Sequence, residues 1–370
     1  DNNRIKIYEL TGGDNCPSGT QEVVNDEVCF DDDFGSSGND DGEFDTPTNL
    51  AINLGNGEIY VIDSDNNRVQ RFQADGDFDN LEFGSSDNDD EDYLGVPSAI
   101  AIHQSTDYVY VADSTTDSIS VFDDNGNFKF SFEDDGDGND FKNPSGMIID
   151  DDNDILYVAD TDNNMIRMYE LTDDSNCPSD TEEVVNDEVC FVDEFGSSGN
   201  GEGKFDEPSG LAFDEDENLL YVADTENNQV QVFQIVSGNT CPSDTEEIIN
   251  GVCFVEEFGS SGANDGMFNS PTGLAFDDDN GLLYVADRDN NRVQIISTTG
   301  NSNNISFSDE FGSQGTDDDE FKKPSDLAIS KDGTNLYVVD RDNDRIKIFE
   351  LTGGNNCPSG TQEIVNDEVC

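Results

Sequence analysis

Basic residues are scarce in this chain: 16 Lys plus Arg stand against 86 Asp plus Glu over 370 residues, a formal net charge of −70. That balance excludes nucleic acid as a general partner, because phosphate binding needs a basic face from which counterions are released. The same repulsion disfavours anionic membranes, and no apolar run reaches the roughly 18 residues that a spanning helix needs. A charged and apolar leader is missing from the opening text, so any signal peptide is expected to be already removed or to lie outside this segment. Histidine is nearly absent, with His103 the only one, and the eight cysteines contain no CxxC knuckle; both facts argue against zinc. No Gly-x-Ser-x-Gly elbow, P-loop or catalytic Cys/His arrangement is present.

The residues that are plentiful point to an all-β chain. Val, Ile, Phe and Tyr fall in short runs separated by Gly, Asn, Asp and Ser, the composition of short strands joined by tight turns. The cysteines form four local pairs, Cys16 with Cys29, Cys177 with Cys190, Cys241 with Cys253 and Cys357 with Cys370, each bracketing nearly the same text. Spacings of 12 or 13 fit disulfides, and disulfides imply an oxidising, extracellular or cell-surface setting.

Self-comparison decides the architecture, since a recurring unit of this length signals a repeat fold. One sentence, best preserved from Phe258 to Ile296, occurs six times. Its proline recurs as Pro47, Pro97, Pro144, Pro208, Pro271 and Pro324, and its Tyr-Val-x-Asp core starts at Tyr60, Tyr110, Tyr157, Tyr221, Tyr284 and Tyr337. The order of Phe-Gly, a Gly-rich turn, Phe, a proline, an apolar strand, Tyr-Val-x-Asp and a following Asn-x-Arg-Val resembles the NHL repeat. The resemblance covers essentially the whole chain. It implies a six-bladed β-propeller of four-stranded antiparallel blades. The strand composition of Gly273 to Phe276, Leu282 to Ala286, Val293 to Ile296 and the segment reaching Phe311 agrees with that independently.

Two repeated features carry structural readings. The Asp that closes strand two and the Arg that opens strand three, as in Asp63 with Arg68, Asp287 with Arg292 and Asp340 with Arg345, are expected to fix an Asn-rich hairpin turn by a charge-assisted hydrogen bond. Ser118, Met165 and Gln229 hold the Arg position in the other three units. The two phenylalanines of each unit are expected to wedge between blades. Successive prolines are 50, 47, 64, 63 and 53 residues apart, and the two long intervals each carry a cysteine pair. The extra text sits after strand three and reads as a small disulfide-stapled hairpin, a loop closure of about 3 kcal/mol in the chain-entropy account.

Residues 342–370 repeat residues 1–29 with four differences, Asn3/Asp344, Tyr8/Phe349, Asp14/Asn355 and Val23/Ile364, at an offset of 341. We therefore expect residues 1–33 to be outer strands of a preceding or closing blade with its flap, 34–341 to be six repeats forming one propeller, and 342–370 to open the next 341-residue circuit of a tandem array. A seventh blade within one monomer is the competing explanation.

The functional expectations are a non-catalytic extracellular structural protein, a propeller bead of a filament, sheath or surface layer whose partners are copies of itself, with a monomeric ligand- or glycan-binding propeller as the alternative. Some propeller lyases and lactonases resemble this architecture, but one histidine and six similar inner strands argue against a single specialised centre. No cofactor is required. Calcium is the candidate cation, at Asp134, Asp135, Asp137, Asn139 and Asp140, where hard oxygen ligands recur along a turn; an acidic surface of this kind also concentrates divalent cations generally. Asn304 lies in the single N-linked sequon and is the candidate glycosylation site.

Overall fold

The structure, a computed structural model, describes residues 21–24, 28–87, 90, 92–136, 138–172, 177–178, 181–185, 188–236, 241–242, 245–249, 251–298 and 305–351. Six antiparallel sheets are arranged as the blades of a propeller. Their inner strands, Pro47–Ile52, Pro97–His103, Pro144–Asp150, Pro208–Asp214, Pro271–Asp277 and Pro324–Ile329, each pack against the next, and the sixth packs against the first, so the ring is closed.

The second strands explain why the chain lacks a simple polar–apolar alternation there. Ile59–Asp63 is buried at every position, and Leu219–Asp224 and Leu282–Asp287 at all but the first. A sheet covered on both faces by neighbours needs apolar residues on both sides. The neighbouring faces are wedged apart and sealed by aromatic rings. Phe311, Phe321 and Phe349 meet at centroid distances of 5.9, 4.9 and 5.7 Å, and Phe195, Phe205 and Phe233 repeat the cluster. This is the inter-blade role expected for the two phenylalanines of each unit. The glycine after the first Phe has to be glycine: Gly196 has φ +116°, and a Cβ there would lie 2.7 Å from the Phe205 ring and 2.9 Å from the Asn164 carbonyl oxygen.

Each blade is locked by the buried aspartate that ends its second strand. Asp63 Oδ1 accepts the Asp45 N–H at 2.7 Å, while Oδ2 accepts from Arg68 Nε at 2.7 Å and Gln70 Nε2 at 3.1 Å. Asp287 with Arg292 and Asp340 with Arg345 repeat the pair at 2.7 and 2.8 Å. The sequence reading left Asp160 without a cation because Met165 fills the expected position; Arg167, two residues further along the same face of the strand, brings its Nε to 2.8 Å from Asp160. Asp224 uses the side-chain amides of Gln229, Gln231 and Asn227 instead. Asp113, followed by Ser118 and Ser120, accepts the backbone N–H groups of Val96, Thr115 and Thr116. The aspartate is thus constant because it holds the loop entering its own blade, and its side-chain partners vary.

Two insert hairpins follow the expected plan. Glu182–Val185 pairs with Val189–Phe195, and Glu246–Ile249 with Val252–Phe258, adding a fifth strand to the outer edge of two blades. Cys177–Cys190 and Cys241–Cys253 are disulfides with Cα–Cα distances of 5.6 and 5.7 Å. Such bonds fit an oxidising environment. The side chain of Cys29, and Cys16, Cys357 and Cys370 altogether, lie outside the described residues.

The closing blade differs from the division read from the sequence. Its order is Gln21–Val24, Val28–Phe34, Arg345–Leu351, Asn335–Asp340 and Pro324–Ile329. Of residues 1–33, expected in a preceding or closing blade, the strands at Gln21–Val24 and Val28–Phe34 close this ring. Residues 342–351 differ from the expectation that they open the following circuit: Arg345–Leu351 is the third strand of this ring, because it pairs with Asn335–Asp340 on one side and Val28–Phe34 on the other. Residues 352–370 lie outside the described residues. Among the described residues no helix is long and apolar enough to cross a membrane.

Candidate functional site in the central channel

The inner strands line a channel of about 390 Å³ at its larger end and about 200 Å³ at the other. The residue two places after each proline sits closest to the next blade. At Gly146 and Gly210 an added Cβ would overlap the carbonyl oxygen of Ser209 and Thr272 respectively, so the glycines permit close inner-strand approach. Gly273 repeats the glycine in blade five, and Ala99, Asn49 and Asp326 hold the same column in the other three blades. Asn49 Oδ1 accepts the Ile100 N–H and Asp326 Oδ2 accepts the Leu50 N–H, both at 2.9 Å, so these two side chains bridge adjacent inner strands. Burial pushes the Asp326 carboxyl up to about 7, against the pull of the Leu50 and Leu327 N–H groups. The sequence reading treated the inner strands as alike near the axis. The departures were visible as Asn and Asp in a glycine column, but their meaning depends on knowing that this column faces the neighbouring blade.

The larger end is acidic and tied together circumferentially. The Leu54 N–H donates to Gln104 Oε1 at 2.7 Å and the Gln104 N–H to Asp151 Oδ1 at 2.9 Å. The same bond then runs from Asp151 to Glu215 and from Glu215 to Asp278. Burial, reinforced by Asp150, raises Glu215 to about 8, and burial with Asp214 raises Asp278 to about 6. These carboxyls brace one blade on the next. His103, near this end, is 5% exposed, and its Nε2 lies 2.9 Å from Asp154 Oδ1. It fastens a turn from a buried position.

The candidate calcium loop is occupied with its own bonds. Asp134 accepts the Gly136 N–H at 2.7 Å, Asp135 accepts from the Asn139 side chain at 2.5 Å, and the carbonyls of Asn139 and Asp140 accept from Arg167 at 2.5 and 3.2 Å. Asp137 and the sequon Asn304 lie outside the described residues. Among the described residues no group of three or more His, Cys, Asp or Glu side chains is arranged to hold a metal ion.

With the ring, its closure and its channel established, sequence comparison identifies the unit. The family described as NHL repeat matches residues 44–72, 205–233 and 268–296. These three units are NHL repeats. A second family, described as a 6-bladed beta-propeller, matches residues 79–194. The chicken (Gallus gallus) NHL repeat-containing protein 2 is 29% identical over 186 residues, covering 44% of this chain and 24% of that protein. This NHL propeller thus matches about a quarter of that relative's length. Among solved structures, a Bacteroides thetaiotaomicron protein of unknown function aligns with a TM-score of 0.59 at 17% identity, over 86% of this chain and 74% of that one. A Xanthomonas campestris gluconolactonase aligns at 0.54 and 15% identity, over 89% and 91%. At such identities the likeness is one of fold.

Proposed function

We propose that this NHL propeller is a non-catalytic bead of a repeating extracellular assembly, joined to further copies of itself through the closing blade. The observation that carries the reading is how that blade is made. Val28–Phe34 meets Arg345–Leu351 in the register Val28↔Leu351 to Phe34↔Ile346. The covalently continuous third blade has the equivalent register, Val189↔Leu171 to Phe195↔Ile166. The seam is held by a backbone ladder between Val28–Phe34, which begins in the first copy of the repeated text, and Arg345–Leu351 in the second, so an outer hairpin from the next circuit fits as well as the chain's own. The disulfide-stapled hairpins on the outer edge are oxidised, polar flaps suited to contact between beads, and an acidic surface of this kind suits divalent cations around them. Glycans on Asn304 are part of the same reading.

The alternative, a monomeric propeller that captures a ligand or glycan, draws on the Asn49 and Asp326 departures in the channel. Native mass spectrometry and electron microscopy of material from its natural source separate the two. Beads in strings, or masses stepped by the 341-residue circuit, are expected; a monodisperse particle of one propeller overturns the assembly.

A further inference from the structure

The smaller end of the channel departs from the repeat in two consecutive blades. After the buried aspartate, four blades carry a hydroxyl, Ser64, Ser114, Thr161 and Thr225. Three of these donate to the proline carbonyl of the next blade: Ser64 to Pro97, Thr161 to Pro208 and Thr225 to Pro271, each at 2.8 Å. Thr161 and Thr225 also meet Ser145 and Ser209 of their own inner strands at 2.5 and 2.6 Å. In blades five and six the hydroxyl becomes Arg288 and Arg341, and the relay is broken. Thr272 Oγ1 in blade five, Arg341 Nε in blade six and Thr48 Oγ1 in blade one are buried and have no hydrogen-bond partner. All three line the same pocket of about 200 Å³. Arg288 bonds its neighbour Asp289 at 3.2 Å, whereas Arg341 makes no ion pair among the described residues. In a chain with 16 basic residues against 86 acidic ones, two adjacent guanidiniums beside unpaired hydroxyls form a differentiated patch.

We propose that this pocket binds a small hydroxycarboxylate, with its carboxylate on Arg341 and Arg288 and its hydroxyls on Thr48 and Thr272. A guanidinium presents a planar fork that matches a carboxylate. A ligand that brings donors or acceptors of its own would give the orphaned threonine hydroxyls the protein-side partner they lack, in place of water. The carboxyls of Asp326 and Glu207 line the same pocket and would accept from a ligand's hydroxyls, which favours an acid that also carries hydroxyls over a bare oxyanion. At about 30 Å³ for each water-sized unit, the volume suits a molecule of roughly seven heavy atoms.

Isothermal titration calorimetry of the full chain with glycerate and malate tests this, with glycerol and inorganic phosphate as controls. Saturable binding of the acids is expected, with no detectable binding of glycerol. Arg341→Gln should weaken it at least about tenfold, the worth of a charge-assisted hydrogen bond. Thr48→Val with Thr272→Val should weaken it several-fold, and that pair serves as the test if Arg341→Gln does not fold. Absence of saturable heat from both acids overturns the proposal, as does tighter binding of phosphate than of either acid, or unchanged affinity in the folded variants.

Discussion

Asp326 offers the sharpest quantitative test of the channel. Its carboxylate is 7% exposed, accepts an N–H from the adjacent blade and titrates near 7, where an ordinary Asp titrates near 3.8. A carboxyl whose folded value lies above its unfolded value holds an extra proton in the folded state between the two. Its stabilising contribution is therefore full below about pH 4 and is lost as pH rises through 7. The difference corresponds to about 4 kcal/mol at pH 8. Asp326→Asn keeps an oxygen to accept from Leu50 and cannot ionise. Urea unfolding of both proteins at pH 4, 6 and 8 should show a stability difference that shifts in favour of the variant by about 3–4 kcal/mol across that range. Glu215 and Asp278 titrate in the same sense, and the comparison cancels them because both proteins contain them. A difference that stays flat with pH refutes the assignment of this proton to Asp326.

Other outcomes follow from the blades. Phe321→Ala removes a fully buried wedge between Phe311 and Phe349 and should cost about 3–5 kcal/mol in denaturant unfolding; a loss below about 1 kcal/mol would contradict its wedge role. Arg167→Met strips Asp160 of its cation and should cost about 3–5 kcal/mol, largely recovered when Asp160→Asn is added. Cys241→Ser with Cys253→Ser should expose the flap at Glu246–Ile249 to limited proteolysis and cost about 3 kcal/mol, with the ring's circular dichroism retained. Self-repulsion of 70 net negative charges predicts that the melting temperature rises as sodium chloride is added and the Debye length contracts; an unchanged midpoint would mean the charges are too far apart to matter.

Much of the ring was legible because each cue was written six times. The prolines mark where inner strands begin, the Tyr-Val-x-Asp runs mark strands buried on both faces, and the inserts fall where the spacing lengthens. Three things were less accessible. Arg167 serves Asp160 from two residues beyond the expected column, which becomes visible only once strand pairing puts alternate residues on one face. Arg288 and Arg341 break a column of hydroxyls, but nothing in a linear reading places that column at the rim of a channel. The two copies of the closing text were too alike to reveal which supplies the third strand and which the fourth.

That shared blade has a consequence for biosynthesis. Arg345 and Asp33, ion-paired across the seam, are 312 residues apart in the chain, and joining points so distant carries an entropic cost of about 5 kcal/mol. The blades of this ring can stack one after another, yet Val28–Phe34, already paired with Gln21–Val24 on one side, meets its inner neighbour Arg345–Leu351 only when the ring closes. Until that strand is in place the far edge of the hairpin stays unpaired, and the crowded negative charge around it is well suited to keeping that edge from sticking to its neighbours.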